Sequence, residues 1–572
     1  MTTVARATFA CALAAVAAKS AFAQGARAAP ACAGQVISAI AIRPLPPLEE
    51  AARDWWETPV RALNSLHAVT QPAVVRALLL LKVGDPCDEF LRAESERVLR
   101  AQPFIARAHI AVHPESGGSV ALVVTTQDEF TFILAARFSG KSPYVTALTL
   151  GDGNLGGKGM SIAAGWIHTV TREGFGVAYI DYTFTKRPWQ LQLAGGLGGV
   201  GEASLFGDVS HPFYSDAQRS AWRGSFVNLT LLQAFQRPDT VAFDVGVTRQ
   251  FGFVGAAARV VGRPGSILLL GGAFSTEEDA TGFPASGYDS TVNYDSLFVR
   301  YAPRRSVRLN FIAAYRRIHF GRATRLDALN GTQDLRLGFE AAALAGHGFS
   351  GLDGSSDDFF ANGGVFIGVG AERGYGYLQA LIESRRGTES GLWTDAIASC
   401  RLRFYRRLSD VQTLVADGEL GAGWKTTRPF EIRIGQPDGG VRGYAASHDA
   451  GGQRAALKIE DRWYLGALGK KVDIGVLAFA DAGRVWAGDV PFGTTTPVKV
   501  GVGAGLLAAT PVGSQRTYRV DFAVPVSPDP YAGWVVRLTV INVAQLGSTK
   551  EPPDVAFGRE FVSTSSQFTY PR

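Results

Sequence analysis

The stretch that decides the fold reads Arg454-Ala455-Ala456-Leu457-Lys458-Ile459-Glu460-Asp461-Arg462-Trp463-Tyr464-Leu465. Successive side chains of an extended strand point to opposite faces. Lys458, Glu460 and Arg462 therefore share one face. The opposite face carries mainly the apolar side chains of Leu457, Ile459, Trp463 and Leu465. The stretch predicts a strand with one polar surface and one apolar surface.

Three later segments repeat this alternation. Asp473, Asp481 and Gly483 share one face of the run Val472–Trp486. Apolar residues alternate with polar ones from Tyr518 to Val524 and again from Trp534 to Val540. Successive segments of about ten residues, apolar on one face and polar or glycine on the other, are typical of a transmembrane β-barrel. The sequence thus predicts a mainly β protein built as an antiparallel barrel.

A glycine-rich loop, Gly439-Gly440-Val441-Arg442-Gly443-Tyr444, lies between these segments. Taken alone, an arginine between two glycines is most often part of a solvated turn. The functional alternative is that the glycines bring the arginine close to a partner surface.

Two motifs and the closing strand resemble the BamA/TamA superfamily of outer-membrane barrels, which includes bacterial surface antigens and two-partner-secretion transporters. The loop motif is Gly440, Val441, Arg442, Gly443 and Tyr444, and the strand motif runs from Phe479 to Gly483. The resemblance implies that the loop folds back into the lumen. It further implies that Arg442 pairs with Asp481, with Glu460 as a second candidate, and so locks the loop inside.

The same resemblance implies 16 strands over residues 130–545. A barrel of that size can enclose an aqueous lumen. The last strand is predicted from Gly533 to about Ala544, whereas barrels of this family usually end on an aromatic residue at the last strand's terminus. Residues 546–572 are mostly polar. Either they form a tail in the periplasm or the last strand lies later in the sequence, and we expect the tail.

The beginning of the chain predicts export. Residues 1–23 have a basic start, an apolar core and the small-x-small site Ala21-Phe22-Ala23, as a secretory signal peptide does. Residues 24–129 show the order β-α-α-β-β, which resembles a single polypeptide-transport-associated (POTRA) domain, a small α+β periplasmic module. After signal removal Cys32, Cys87 and Cys400 remain. A disulfide between Cys32 and Cys87 is one alternative, but unpaired core cysteines are favoured.

The sequence contains short motifs that resemble catalytic, metal-binding or nucleotide-binding sites, but each lacks the surrounding residues or elements that such a site requires. Gly196-x-Gly198-x-x-Gly201 is followed by no helix, so it lacks the setting of a dinucleotide site. Adjacent residues such as Ser447-His448-Asp449 cannot converge as a triad, and His109 with His113 lacks a third metal ligand. The 57 basic and 51 acidic residues are scattered rather than clustered. We expect no enzyme activity, no cofactor, no metal and no nucleic-acid partner.

The function implied by the resemblance is assembly, insertion or translocation of polypeptides at the bacterial outer membrane. The expected partners are outer-membrane lipid, an unfolded or extended client, and a periplasmic partner reached through the POTRA-like domain. The alternatives are a dedicated exporter of one secreted partner, a passive pore and a structural barrel.

Overall fold

The computed structural model describes residues 32–48, 64, 67–168, 173–199, 201–237, 242–282, 292–351, 357–436, 438–542, 545–547 and 550–562. The predicted signal peptide, residues 1–23, lies outside the described residues. Two parts follow one another along the chain, a small domain up to residue 128 and a large barrel after it.

In its described residues, the N-terminal domain is a four-stranded sheet covered by two helices. Its elements are β1 (Ala33–Leu45), α1 (Pro72–Leu78), β2 (Pro86–Asp88), α2 (Glu89–Arg100), β3 (Ile105–Pro114) and β4 (Val120–Asp128). The strand order is β2-β1-β4-β3, with β1 parallel to β4. Ile37, Val75, Leu99 and Phe104 are fully buried between sheet and helices. This core gives the domain its own hydrophobic centre.

Cys32 and Cys87 form a disulfide in this domain, 55 residues apart in sequence. The expectation of unpaired core cysteines was therefore wrong for these two. The pairing of β1 with β2 brings them together, since Ala33 lies opposite Asp88. Cys400 is buried in the barrel and takes no part in this disulfide.

The barrel wall is a closed sheet of antiparallel strands. Strands β5 to β12 are Phe132–Ser139, Val145–Asp152, Met160–His168, Glu173–Asp181, Gln190–Gly198, Ala203–His211, Ser220–Phe235 and Phe243–Arg263. Strands β13 to β19 are Ser266–Gly282, Arg304–Thr324, Thr332–Gly348, Asp358–Ala371, Gly374–Gly387, Trp393–Arg407 and Gln412–Trp424. A short pair, β20 (Ile432–Arg433) and β21 (Ala450–Gly451), interrupts the wall order. Strands β22 to β26 are Gln453–Leu468, Val472–Trp486, Lys499–Ala509, Arg516–Pro525 and Val535–Asn542.

Over the residues that the structure describes, the wall contains 20 strands, so the expected number of 16 was wrong. Several connections are far shorter than the long loops on which the expectation depended. Pro264–Gly265 alone joins β12 to β13, and Glu372–Arg373 alone joins β16 to β17. Such two-residue hairpins leave chain for additional strands.

Side chains alternate between the two faces of the wall, as β14 illustrates. Leu309 and Phe311 are 58% and 57% exposed on the outer surface, whereas the alternating residues Arg308 and Asn310 are buried inside. The barrel thus has an apolar exterior and a charged interior. In the described part of the chain, no helix is both long and apolar enough to cross a membrane.

The barrel closes where its last strand β26 meets its first strand β5, which we call the seam. Four residue pairs, from Val535 opposite Ser139 to Leu538 opposite Ala136, make the backbone pairing. Among the described residues, Phe132–Ala135 and Thr539–Asn542 have no such pairing across the seam. Instead, the side chain of Tyr518 on β25 reaches across and donates to the carbonyl oxygen of Phe132 at 3.0 Å.

The N-terminal domain is held against one end of the barrel, which we call the covered mouth. Arg100 on α2 forms an ion pair with Asp334 on β15 at 2.8 Å. The guanidinium of Arg97 lies 4.2 Å from the ring centre of Phe320 on β14. Glu129, fully buried at the junction, accepts a hydrogen bond from the backbone N–H of Gln515 at 2.8 Å. These contacts hold the domain over the opening.

Residues after β26 return into the barrel, which corrects the prediction that this tail hangs in the periplasm. The two-residue strand β27 (Gln545–Leu546) runs parallel to β15 at Asp334 and Leu335. Leu546 is buried among inward-facing tyrosines, and helix α4 (Pro553–Gly558) packs against β18, β19 and β20. One other short helix, α3 (Tyr294–Arg300), lies between β13 and β14. Polar groups of this segment form hydrogen bonds and ion pairs inside the barrel, as buried polar groups in proteins generally do.

Candidate functional site

The loop that joins β19 to β22, residues 425–452, folds against the inner wall, and we call it the luminal loop. The β20–β21 pair fixes its base. A tight turn follows, in which the N–H of Val441 donates to the carbonyl oxygen of Ile434 at 2.7 Å. Ile434, Val441 and Tyr444 are buried together with Val485 of β23. The loop is thus packed into the interior by apolar side chains before any charge is considered.

Arg442 projects from this turn onto an acidic patch of the wall. Its Nε and Nη2 atoms donate to the two oxygens of Asp481 on β23, both at 2.7 Å. The backbone N–H of Arg442 donates to the same carboxylate at 3.1 Å. Its Nη1 atom donates to Glu460 on β22 at 2.9 Å. A planar guanidinium that bonds a carboxylate with two parallel N–H groups fixes orientation as well as charge.

The carboxylates around Arg442 belong to a larger network that the motifs did not indicate. Arg519 on β25 bonds Glu460 at 2.7 Å and Asp521 at 2.7 Å. Arg462 bonds Glu460 at 2.7 Å, and Asp521 lies 3.6 Å from Arg442. All five charges face the interior, and Glu460 is shared by Arg442, Arg462 and Arg519. The alternation of β25 already placed Arg519 and Asp521 on the polar face, which was the available signal.

Phe479, the first residue of the strand motif, packs its ring against the guanidinium of Arg442. The ring centre of Phe479 lies 3.4 Å from the guanidinium carbon of Arg442. A guanidinium over an aromatic face is attracted by the ring's quadrupole. Phe479 is itself buried beside Leu477 and Leu507, so its ring is a fixed platform.

Two glycines of the motifs permit the close approach. Gly443 has φ of +94°, and a Cβ there would lie 2.8 Å from the backbone nitrogen of Pro525. A Cβ at Gly483 would lie 2.6 Å from Cγ2 of Val441. Both positions have no room for a side chain, and Gly443 also has the backbone conformation that glycine adopts most readily. Gly440 has backbone within 2.0 Å of a would-be Cβ, at the carbonyl oxygen of Ile434.

Tyr444 fastens the far side of the loop. Its hydroxyl oxygen lies 2.9 Å from the carbonyl oxygens of Val500 and of Ser527, and it accepts from the N–H of Ser527 at 3.0 Å. The side chain is fully buried. The loop is therefore held on both sides of Gly443, by Arg442 on β22 and β23 and by Tyr444 on the connection between β25 and β26.

The residues Ser447, His448 and Asp449 do not meet as a triad. The hydroxyl of Ser447 donates to Asp529 at 2.7 Å, and the ring of His448 stacks on Tyr531 with centres 3.7 Å apart. Over the described residues, no group of three or more histidine, cysteine, aspartate or glutamate side chains is arranged to hold a metal ion.

Comparison with solved structures finds barrels of several kinds. BamA from Haemophilus ducreyi lacking POTRA domains 1–3 is 10% identical, covers 89% of this chain and 85% of its own, and superposes with a TM-score of 0.39. CdiB from Escherichia coli is 11% identical, covers 89% and 77%, with a TM-score of 0.43. OccK5 (OpdH) from Pseudomonas aeruginosa is 10% identical, covers 72% and 94%, with a TM-score of 0.29. No protein-family profile and no curated protein matches the chain.

Proposed function

We propose that this protein is a bacterial outer-membrane barrel that inserts or translocates polypeptides, with its N-terminal domain in the periplasm. The observation that carries the proposal is the seam. β5 and β26 pair over four residue pairs, and three residues separate the end of the N-terminal domain from the unpaired half of β5. A client arriving on that side would meet free strand edge at the membrane boundary.

The chemistry of an unpaired edge explains why this arrangement suits polypeptides. Free N–H and C=O groups of a strand are a template for another strand. Within lipid they are costly to leave unsatisfied. A client strand that adds to residues 133–135, beyond the Phe132 carbonyl bound by Tyr518, would satisfy them by main-chain pairing, a mode of recognition that tolerates many side chains.

Two further features support the proposal, the first a membrane location and the second transport over passive conduction. The apolar exterior, with Leu309 and Phe311 as examples, suits a lipid environment. The luminal loop, fixed by Arg442, obstructs the interior, which a passive pore would not need. The POTRA-like identity of the N-terminal domain, and its role in receiving a client or a periplasmic partner, are parts of the same proposal.

The proposal is tested by stapling the seam. Ala136 and Leu538 lie directly opposite each other, so Ala136→Cys with Leu538→Cys, in a Cys400→Ala background, can join β5 to β26. Ala258→Cys with Leu270→Cys staples the fully paired strands β12 and β13 and serves as the matched control. Each protein is reconstituted in liposomes and given a urea-unfolded outer-membrane barrel, whose folding is followed by heat-modifiable gel mobility.

We expect the unstapled protein and the control to accelerate client folding, and the oxidised seam staple to abolish the acceleration until reductant is added. No acceleration by the unstapled protein contradicts the proposed function. Equal acceleration by both stapled proteins would show that the seam takes no part.

A further inference from the structure

The C-terminal segment, residues 545–547 and 550–562, crosses the interior from one end of the barrel toward the other. Its first residues lie beside Asp334 and Leu335 at the covered mouth. Glu560 reaches Arg304, the first residue of β14, at the opposite rim. The segment therefore follows the route that any polypeptide passing through the barrel would take.

Glu560 is bound by several groups of the wall at once. Its side chain pairs with Arg308 and, at 3.3 Å, with Arg304. Its backbone N–H donates to Glu383 on β17 at 2.9 Å. Glu560 is 2% exposed, so this is a complete site for one acidic residue.

The residues on either side of Glu560 are recognised as well. Arg559 pairs with Glu383 at 3.2 Å. Arg249 on β12 donates to the carbonyl oxygens of Phe557 at 2.6 Å and Arg559 at 2.8 Å. The guanidinium of Arg249 also lies 4.2 Å from the ring centre of Phe561. The wall thus contacts Arg559, Glu560 and Phe561 through backbone hydrogen bonds, ion pairs and an aromatic ring.

The cations that hold the segment each keep a carboxylate of the wall or loop. Arg304 keeps Asp395 at 3.0 Å, and Arg308 keeps Asp358 at 2.5 Å. Arg249 and Arg428 each form an ion pair with Glu277 of the wall. Arg454, which binds Asp554 of the segment, also pairs with Glu419 of the wall. Removing the segment would leave none of these buried cations without a partner, and unpaired buried charge is the main cost of breaking such sites. When the segment leaves, the wall's cations remain paired, and the wall charge that gives up its partner is Glu383, through its loss of Arg559.

The segment also contacts the luminal loop. Val555 is fully buried against Phe430 and Ile432. The N–H of Arg433 donates to Asp554 at 3.2 Å. The loop and the segment thus fill the interior side by side, each covering part of the other.

We infer that the interior carries a peptide-binding site and that residues 550–562 are its tethered, displaceable occupant. The ligand class is a peptide with a basic, an acidic and an aromatic residue in succession. Occupied by the chain's own segment, the site keeps the barrel shut. The inference goes beyond the proposed function, since it concerns the chain's own segment and its test involves no client.

The first experiment compares full-length wild-type protein with Glu560→Gln in planar bilayers. Loss of a charge-assisted hydrogen bond should raise the ratio of open to closed time by about tenfold or more. Added peptide of residues 550–562 should restore closure, and the same peptide carrying Glu560→Lys should not. Unchanged gating in Glu560→Gln, or equal effects of both peptides, would overturn the inference.

The second experiment does not depend on the folding of that variant. A Cβ at Gly421 would lie 2.9 Å from Cγ2 of Val555, within reach of a disulfide, whose Cβ atoms are about 3.8 Å apart. Full-length Gly421→Cys in a Cys400→Ala background is given the 550–562 peptide carrying Val555→Cys under mild oxidation. Displacement predicts covalent capture of the peptide, and unlabelled peptide should compete.

A control places both cysteines in one chain. Gly421→Cys with Val555→Cys, in the same background, should form the internal disulfide, block peptide capture and hold the barrel closed until reductant is added. The Cys400→Ala parent receives the same reductant. Failure of the internal disulfide to form, or absence of peptide capture by the single-cysteine chain, would contradict the inference.

Discussion

Arg442 and Asp481 are joined by two side-chain hydrogen bonds of 2.7 Å each, across the gap between the luminal loop and strand β23. Asp481 is 1% exposed. The pair joins the luminal loop to the barrel wall. The strength of this ion pair therefore determines how firmly the loop is held inside the barrel.

Arg442→Ala should release the luminal loop while the barrel stays folded. Leaving the buried Asp481 without this partner costs about 3–5 kcal/mol if the site is dry, and less if water enters. We expect small, flickering single-channel currents in the wild type and larger, steadier ones in the variant. Asp481→Ala should behave alike, and Arg442→Lys should be intermediate because it keeps the charge without the fork. Wild-type currents from both alanine variants would refute the lock.

Gly443→Ala should weaken the docking of the loop for two separable reasons. A non-glycine residue at positive φ costs about 1–3 kcal/mol, and the added Cβ would lie 2.8 Å from Pro525 nitrogen. Gly466→Ala is the matched control, because Gly466 has φ of +118° with nothing within 4 Å of its would-be Cβ. Hydrogen exchange in residues 438–447 should rise in Gly443→Ala only. An equal rise of hydrogen exchange in both variants would show that the close contact between residue 443 and Pro525 does not control the docking of the loop.

The junction at Glu129 should loosen as pH rises. Burial raises the pKa of Glu129 above its ordinary value of 4.5, against hydrogen bonds from Ser514 and Gln515 and the charge of Arg516. Between 4.5 and the raised pKa the folded state binds more protons than the unfolded state, so stability falls as pH rises through that window. Hydrogen exchange of the junction, corrected for the intrinsic pH effect, measures this.

Two substitutions make the pH experiment decisive. Glu129→Gln should flatten the dependence, because the side chain no longer ionises. Glu115→Gln, on the exposed turn between β3 and β4, should retain the wild-type profile. A profile that is the same in all three proteins would show that Glu129 does not control the junction.

Removing the disulfide with Cys32→Ser and Cys87→Ser should destabilise the N-terminal domain by about 2–5 kcal/mol, since the bridge closes a long loop in the unfolded chain. Urea unfolding followed on a probe in that domain measures the loss. Cys400→Ser, in the barrel, should leave this transition in place. A double variant as stable as the wild type would show that the disulfide does not constrain the domain.

The alternation of polar and apolar residues was enough to place Asp481 and Glu460 on the inner face, because a strand allows each side chain only two directions. The strand number was not accessible in the same way. It depends on turn lengths, and a pair such as Pro264–Gly265 carries no mark that distinguishes a hairpin from a turn inside a longer loop.

The burial of the C-terminal segment inside the barrel could not be predicted from the sequence for a different reason. Residues 550–562 have no strand or helix periodicity and contain two prolines, which is typical of an exposed tail. Their burial depends on partners up to about 300 residues earlier, such as Arg249 and Arg308. Local pattern holds no information about such long-range pairing.

The covered mouth also couples the N-terminal domain to the C-terminal segment. Asp334 pairs through its backbone with the C-terminal segment and through its side chain with Arg100 of the N-terminal domain. A pull on the N-terminal domain would therefore be transmitted through one wall residue to the segment that fills the interior.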